Sequence, residues 1–452
     1  MANAKAGAER PKRGWLSGLS TFQSLKHADF RLLWVTSLVN AGSNWLQQVT
    51  LGYLAYDISG SALLAAFTFG VRSLPQLIVS PIGGVLGDRF DRKRSVQLNS
   101  AYMAILASGF AALLIFGHVQ PWHILVYSFM QGLAQSLVQP TRQALVSNTV
   151  PPEDLMNAIS LNSFAQTMMR LIGPAIAGVL IALSGPALNF SIQSVAFILT
   201  FLMLIPMKTP YTSRARQRAE VSMRESFSEG LRYVVKQPTI LGLMALAVVP
   251  TLFTTPVNLG LLPVIAKDRL GIDSDGLGLL YSAQGLGAVI GTFTLASFSS
   301  FRRRGMVVSI AAVCLSITIT LYSQVTVFAI ALPLVAIGTC CFMTYSTMAQ
   351  TIIQSITPDE YRGRVMGLFM INNGLTPFGT LIFGGIAELY GVQNAIIVAG
   401  TCAMLSVTFI LLRFPVIWKF RSNPAGELEE LPAPERPPAR VGAASTAEPV
   451  TK

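Results

Sequence analysis

Few residues in this chain have side chains suited to chemistry, and most of those lie inside apolar runs. Arg72 and Arg170 stand in the middle of stretches made mainly of Ala, Leu, Ile, Phe and Gly. An ionisable side chain there is costly to expose to lipid, so it turns to a protein interior or a wet cavity. In such a place it contacts an anion or polar substrate, pairs with another charge during a conformational cycle, or holds backbone carbonyls. Neutral amides accompany the two arginines. Asn40, Asn44 and Gln47 share one helical face, with Trp45 and Gln48 beside them. Gln131, Gln135, Gln139 and Arg142 form a second row at helical spacing. Asn258, Gln284, Tyr345, Gln350, Asn372 and Asn373 add single polar positions in later runs. Such groups either line a cavity for uncharged or zwitterionic amphiphiles or hydrogen-bond one helix to another.

Acids are scarce at depth. Asp57 and Glu388 lie at run ends on one side, Asp88 and Asp29 on the other, and none sits mid-run. Asp57 and Glu388 are therefore the candidates for proton coupling, Asp57 first, because partial desolvation brings a carboxylate into a titratable range. The plainer alternative is a helix-end acid in a solvated turn. Cys314, Cys340, Cys341 and Cys402 all fall in apolar runs without metal-ligand spacing. His27, His118 and His123 lie at run ends or in loops. There is no Walker loop, no H-E-x-x-H and no serine elbow. The sequence therefore predicts no catalytic residue, no metal, no cofactor and no ATP-driven pump.

What must position these residues is a series of spanning helices. The chain has 452 residues, 52% hydrophobic and 12% charged, with mean hydropathy +0.54. Soluble domains carry about 25% charged residues, so this is an integral membrane protein. Twelve runs approach the roughly 20 residues that a crossing requires: 31–56, 62–86, 96–117, 121–146, 158–183, 187–207, 239–266, 276–298, 305–323, 326–352, 364–388 and 393–413. An even number places both termini on one side. Lys267 and Arg269 fall in a loop on the opposite side, whereas nearly all the remaining Lys and Arg outside the runs fall on the side of the termini. That asymmetry marks the cytoplasmic side, so the net charge of +12 reports orientation and not a nucleic-acid partner. The basic N-terminus lacks a cleavage site, and the first helix is expected to act as the signal. In the connection 208–238, Met223 to Val235 has the apolar spacing of a helix lying on the inner lipid surface. The Pro-rich stretch 415–452 is predicted to be disordered.

The chain also repeats itself. Val150-Pro151-Pro152-Glu153-Asp154 resembles Ile356-Thr357-Pro358-Asp359-Glu360 at an offset of 206 residues. At that offset Gly173 meets Gly379, Gly178 meets Gly384, and Gly185 meets Gly391. Two six-helix bundles, 31–207 and 239–414, joined by a cytoplasmic linker and preceded by a segment 1–30, follow from it.

Between the second and third runs stands Gly84-Val85-Leu86-Gly87-Asp88-Arg89-Phe90-Asp91-Arg92-Lys93-Arg94. This resembles the G-x-x-x-D-R-x-x-R-[KR] loop of the major facilitator superfamily, with Gly84, Asp88, Arg89, Arg92 and Lys93 on the pattern and Asp91 where many members carry Gly. Tyr56-Asp57-Ile58-Ser59-Gly60-Ser61, Arg72-Ser73-Leu74-Pro75 and Arg170-Leu171-Ile172-Gly173-Pro174-Ala175 look like the transmembrane secretion effector branch. The resemblance covers roughly 25–415. It implies an all-α major facilitator fold in the cell (inner) membrane of a prokaryote. It also implies a monomer that exports amphiphilic small molecules, such as macrolide-like drugs or catecholate siderophores, in exchange for protons. The five motif residues would form a conformational gate. An uptake symporter of the same fold and a non-transporting membrane sensor are the alternatives.

Overall fold

The computed structural model describes residues 22–89, 91–210, 223–297 and 303–420, and the side chains of 77, 78, 80–89, 223–227, 295–297 and 373 lie outside that description. The expectations for the basic N-terminus, the first part of the 208–238 connection and the tail beyond 420 also fall outside it; the start of the 415–452 stretch, expected to be disordered, instead forms the short helix Val416–Lys419, whose Ile417 is buried against the second bundle. Among the described residues the chain is all-helical. A first bundle contains α1 (Ala28–Ser59), α2 (Ala62–Arg89), α3 (Arg92–Ile115), α4 (Pro121–Val146), α5 (Leu155–Ser184) and α6 (Pro186–Leu204). The connecting helix is α7 (Met223–Lys236). A second bundle follows, with α8 (Pro238–Val249), α9 (Ser274–Ser297), α10 (Arg304–Tyr322), α11 (Phe328–Ile356), α12 (Asp359–Ile371), α13 (Thr376–Tyr390) and α14 (Val392–Arg413). Nine helical segments among the described residues are long and apolar enough to cross a membrane. The helices α1, α2 and α4, of 32, 28 and 26 residues, are of spanning length too. In α1 and α4 the amide rows lower the mean hydropathy.

The run expected as one helix over 239–266 is less regular than its hydropathy suggests. After α8 it widens into π-helical turns at Pro250–Thr254, Pro256–Gly260 and Ile265–Arg269. Proline lacks an amide hydrogen and crowds the carbonyl four residues back. The helix responds with i to i+5 bonds, such as Leu261 N–H to the Pro256 carbonyl at 2.8 Å.

The 206-residue repeat has direct geometric consequences. Gly185 and Gly391 close α5 and α13 with φ of 76° and 86°, a conformation that a side chain would strain. Gly178 brings α5 against α9, where a Cβ would collide with the Ser274 carbonyl oxygen. Gly384 brings α13 against α2, where a Cβ would stand 2.9 Å from Ala66 Cβ. The bundles thus meet along two pseudo-symmetric seams, α5 on α9 and α13 on α2, each made close by small residues.

The connecting helix departs from the sequence expectation. Its apolar face is partly taken by protein and not left to lipid. Tyr233 stacks on Tyr361 at 4.7 Å, Glu229 pairs with Arg364 at 2.6 Å, and Val234 is buried. Stacking and ion pairing fix α7 on α12, and of its described apolar side chains Leu231 and Val235 remain exposed. A similar tether ties the 3-10 turn Gln23–Lys26 to the start of α5. Asp154, 3% exposed, lies 2.8 Å from Lys26 Nζ and 2.7 Å from His27 Nε2. The hydrogen bonds from Lys26 and then His27 hold its carboxyl below the usual carboxylate range.

Candidate functional site

The starts of α1, α3 and α5 lie at one end of the molecule with the ends of α2, α4 and α6. Asp29 accepts from Lys208 N at 2.7 Å, and Lys93 Nζ donates to the Ile205 carbonyl at 2.8 Å. This is the terminal end. The turns at Gly60, Gly185 and Gly391 mark the opposite, hairpin end.

A cavity of about 440 Å³ lies among α1, α2, α4 and α5. Its wide part is lined by the exposed Gln139, Gln143, Ser163 and Gln166, toward the end of α4 and the start of α5, so it opens to the terminal end. Deeper in stands Arg72. Its Nη1 donates to Gln48 Oε1 at 3.2 Å and its Nη2 to Gln135 Oε1 at 3.1 Å. The chain of donors continues from there. Gln135 Nε2 donates to Asn44 Oδ1, Gln131 Nε2 donates to the same oxygen at 3.3 Å, and Asn44 Nδ2 donates to Asn40 Oδ1 at 3.1 Å. Gln135 offers its carbonyl to Arg72 and passes its N–H on to Asn44, which donates in turn to Asn40, an ordered arrangement in which neighbouring bonds polarise one another. The local cause is a close approach: a Cβ on Gly132 would collide with the Arg72 carbonyl oxygen, so α4 lies directly on α2 at this level.

Two more arginines reach the same cavity. Arg142 lies on α4 two turns beyond Gln135, and its Nη2 donates to Thr36 Oγ1 at 3.4 Å. Arg170 on α5 sits over the Trp45 ring at 5.8 Å, and its Nη1 meets Met343 Sδ of the second bundle at 3.9 Å. The buried Arg170 Nε has no acceptor among the described residues. Among the described residues none of the three is in an ion pair and no Asp or Glu lines the cavity. At an effective dielectric of about 20, two like charges roughly 10 Å apart repel by about 1.7 kcal/mol. The cavity is thus a strongly cationic space.

The remaining sequence candidates are distributed differently. Asn40, Asn44, Arg72, Gln135 and Arg170 line the cavity. Gln47 does not, because it faces α6 and accepts from Gln193 Nε2 at 2.7 Å while its neighbour Gln48 takes the cavity position. Gln131 is fully buried behind Asn44. In the second bundle Gln284 and Asn372 act as packing polar groups, and Asn258 enters through its backbone carbonyl. Gln284 donates to the Asn258 carbonyl at 2.7 Å, and Asn372 donates to the Ala247 carbonyl at 2.6 Å. Tyr345 is 2% exposed within an apolar cluster. The Asn373 side chain lies outside the described residues. Gln48 and Arg142 belong to rows visible in the sequence; their adjacency to helix-packing amides hid which of them faces inward.

The motif residues divide in the same way. Gly84, Asp88 and Arg89 end α2, and their side chains lie outside the description. Arg92 Nη1 donates to Asn148 Oδ1 at 3.0 Å, and Lys93 caps the end of α6, so both staple elements within the first bundle. Asp91 accepts from Arg94 N at 3.0 Å and caps α3.

The hairpin end is closed by contacts between the bundles. Lys267 Nζ meets Asp57 Oδ1 at 2.8 Å, Tyr56 Oη donates to Asp268 Oδ2 at 2.5 Å, and Glu388 Oε2 accepts from Ser61 Oγ at 3.1 Å and Leu63 N at 3.2 Å. The last contact also places a carboxylate at the start of α2, where the helix dipole favours it. The bond to Asp57 raises the Lys267 pKa.

This arrangement matches known proteins along nearly its whole length. The model of the transmembrane secretion effector family matches residues 19–435. The chain belongs to that family of major facilitator transporters. It is 23% identical over 414 residues to the enterobactin exporter of Shigella flexneri, covering 91% of this chain and 98% of the relative. It is 21% identical over 367 residues to the staphyloferrin A transporter of Staphylococcus aureus, covering 79% and 89%. Among solved structures, a D-xylose-proton symporter superposes with a TM-score of 0.68 at 16% identity, covering 90% of this chain and all of that one. The Escherichia coli xylose transporter in an inward open conformation gives 0.64 at 15% identity, covering 85% and 96%. The transporter is therefore a multi-pass membrane protein and not an enzyme.

Proposed function

We propose that the transporter exports small amphiphilic molecules, drug-like or siderophore-like, by alternating access and in exchange for protons. The observation that carries this reading is a polar cavity open at the terminal end while the hairpin end is bridged from bundle to bundle. With α1, α2 and α4 counted as crossings, twelve spans put both termini in the cytoplasm of a prokaryotic cell, as the basic loops favour. The described state is then inward-facing and ready to load. The bundles 31–207 and 239–414 rock about the glycine-lined seams, and the cargo leaves when the hairpin end parts. Asp57 and Glu388 stand in the bridges of that end and are the candidates for coupling proton entry to release. Gly84, Asp88, Arg89, Arg92 and Lys93 gate the inner side, and the protein works as a monomer in the bilayer without nucleic acid. The relative named an enterobactin exporter supports export over uptake. Accumulation of a fluorescent amphiphile in cells with and without the protein tests this. Lower accumulation that a protonophore abolishes is expected; higher accumulation, or none of the difference, refutes it.

A further inference from the structure

We infer that Arg269 is the positioning residue of the hairpin-end closure: it pins the π-helical turn Ile265–Arg269 to the second bundle and so holds Lys267 and Asp268 against the first. This rests on the transport reading above, in which the bridges between the bundles keep that end shut. Three consecutive charged residues end the extension of α8, and they go to different places. Lys267 Nζ meets Asp57 Oδ1 at 2.8 Å, and Asp268 Oδ2 accepts from Tyr56 Oη at 2.5 Å, both on α1 of the first bundle. Arg269 turns the other way. Its Nη1 donates to Gln393 Oε1 at 2.6 Å in the first turn of α14, and its Nη2 donates to the Ser323 carbonyl at 2.8 Å, just beyond α10. Alternate residues of a helical turn point to roughly opposite sides. One turn can therefore hold both bundles at once, Lys267 gripping one and Arg269 the other.

The backbone does not do this by itself. Leu270 N–H bonds to the Ile265 carbonyl at 3.1 Å and Ile272 N–H to the Ala266 carbonyl at 2.9 Å, and both bonds stay within the segment. The chain then leaves the helix at Gly271, with φ of 61°. About one turn earlier the extension already lies close on α1, where a Cβ on Gly52 would stand 3.0 Å from Pro263 Cγ. What remains to be fixed is the far end of the turn, and Arg269 supplies that. Ser323 is fully buried, and its carbonyl lies at the C-terminal end of α10, where the helix dipole favours a cation. Among the described residues no carboxylate pairs with Arg269, so its guanidinium is spent on two neutral acceptors from two different helices. A planar fork reaches both at once, and a single ammonium does not. Arg269 touches nothing in the first bundle; it acts through its two neighbours in sequence.

The test is a distance distribution across the hairpin end of the full-length protein. With the four native cysteines replaced, spin labels are attached at Trp122→Cys and Val327→Cys, exposed positions at the hairpin ends of α4 and α11, one in each bundle. Arg269→Gln should raise the long-distance population at least about threefold, and Arg269→Lys should fall between it and the parent. Tyr56→Phe with Lys267→Ala removes both bridges to α1 and should raise the same population at least as much. Adding Arg269→Gln to that pair should then change nothing further, because the residue through which it acts is already disconnected. Gln393→Glu gives Arg269 an anionic acceptor and should lower the long-distance population, a gain that damaged folding does not produce. The inference is overturned if Arg269→Gln lowers Tm but leaves the distribution unchanged, which is the behaviour of a staple internal to the second bundle. It is also overturned if the effect of Arg269→Gln persists in full without the two bridges. When the Tyr56→Phe, Lys267→Ala pair opens the end and Arg269→Gln does not, the inference alone falls. When the pair itself leaves the distribution unchanged, the bridges do not close the hairpin end, and the transport reading falls with it.

Discussion

Arg72→Ala separates folding from transport. The substitution removes two charge-assisted hydrogen bonds, at 3.2 and 3.1 Å, to Gln48 and Gln135. Such bonds contribute about 1.5–3 kcal/mol each where no water can replace them. The cavity is wet on one side, so water satisfies the freed amide oxygens, and the expected loss of stability is only about 1–2 kcal/mol in total. Backbone position should hold, because α4 rests on α2 through Gly132 and not through the arginine side chain. Transport loses more. A cationic contact worth roughly 1.4–2.8 kcal/mol to cargo or to the conformational cycle corresponds to about ten- to a hundredfold at low cargo concentration. Arg72→Lys keeps the charge but cannot reach both amides at once, so it should recover about half of that free energy. Asn44→Ala, which breaks the same donor chain, should combine non-additively with Arg72→Ala, with a coupling of about 0.5–3 kcal/mol. Transport in inverted vesicles and thermal unfolding in detergent measure the two effects on the same variants. Wild-type transport by Arg72→Ala, or a lysine variant no better than alanine, refutes the reasoning.

Three further outcomes follow from the geometry. Asp57→Asn with Lys267→Gln removes an ion pair that is 42% and 48% exposed and so contributes about 0–1 kcal/mol; spin labels at the hairpin ends of α1 and α8's extension should show more of the long-distance population, and an unchanged distribution counts against a latch. Gly178→Ala places a Cβ against the Ser274 carbonyl, so α5 and α9 must separate; the variant should lose transport at least about tenfold while remaining folded, and a fully active variant would mean that the seam does not have to close. Asp154 has a folded pKa below its unfolded value near about 3.9, so its stabilisation is present above that value and lost as pH falls through the depressed one. Asp154→Asn should lower Tm at neutral pH and flatten its fall in acid, and a parallel pair of Tm curves would show that the tether to Lys26 and His27 is idle.

The sequence alone determined the helical, membrane-embedded class and the positions of Arg72 and Arg170 along their helices. The reason is local: insertion into lipid depends on hydropathy over some 20 consecutive residues, and close helix approach depends on where side chains are absent, so Gly173, Gly178 and Gly185 with their partners 206 residues on are legible without a structure. Tertiary packing decided the rest. Gln47 and Gln48 are neighbours about 100° apart on α1, and amide type says nothing about which faces water; the rotation of α1 against α6 gives Gln47 to Gln193 and Gln48 to the cavity. The rows on α1 and α4 became one network only because Gly132 lets α4 meet α2 at the level of Arg72. In the second bundle, Gln284 and Asn372 donate to backbone carbonyls of α8 and its extension. The convergence of Arg72, Arg142 and Arg170 is likewise a property of three helices meeting, since charges spread over a hundred residues of chain share a field only after the fold brings them to one space.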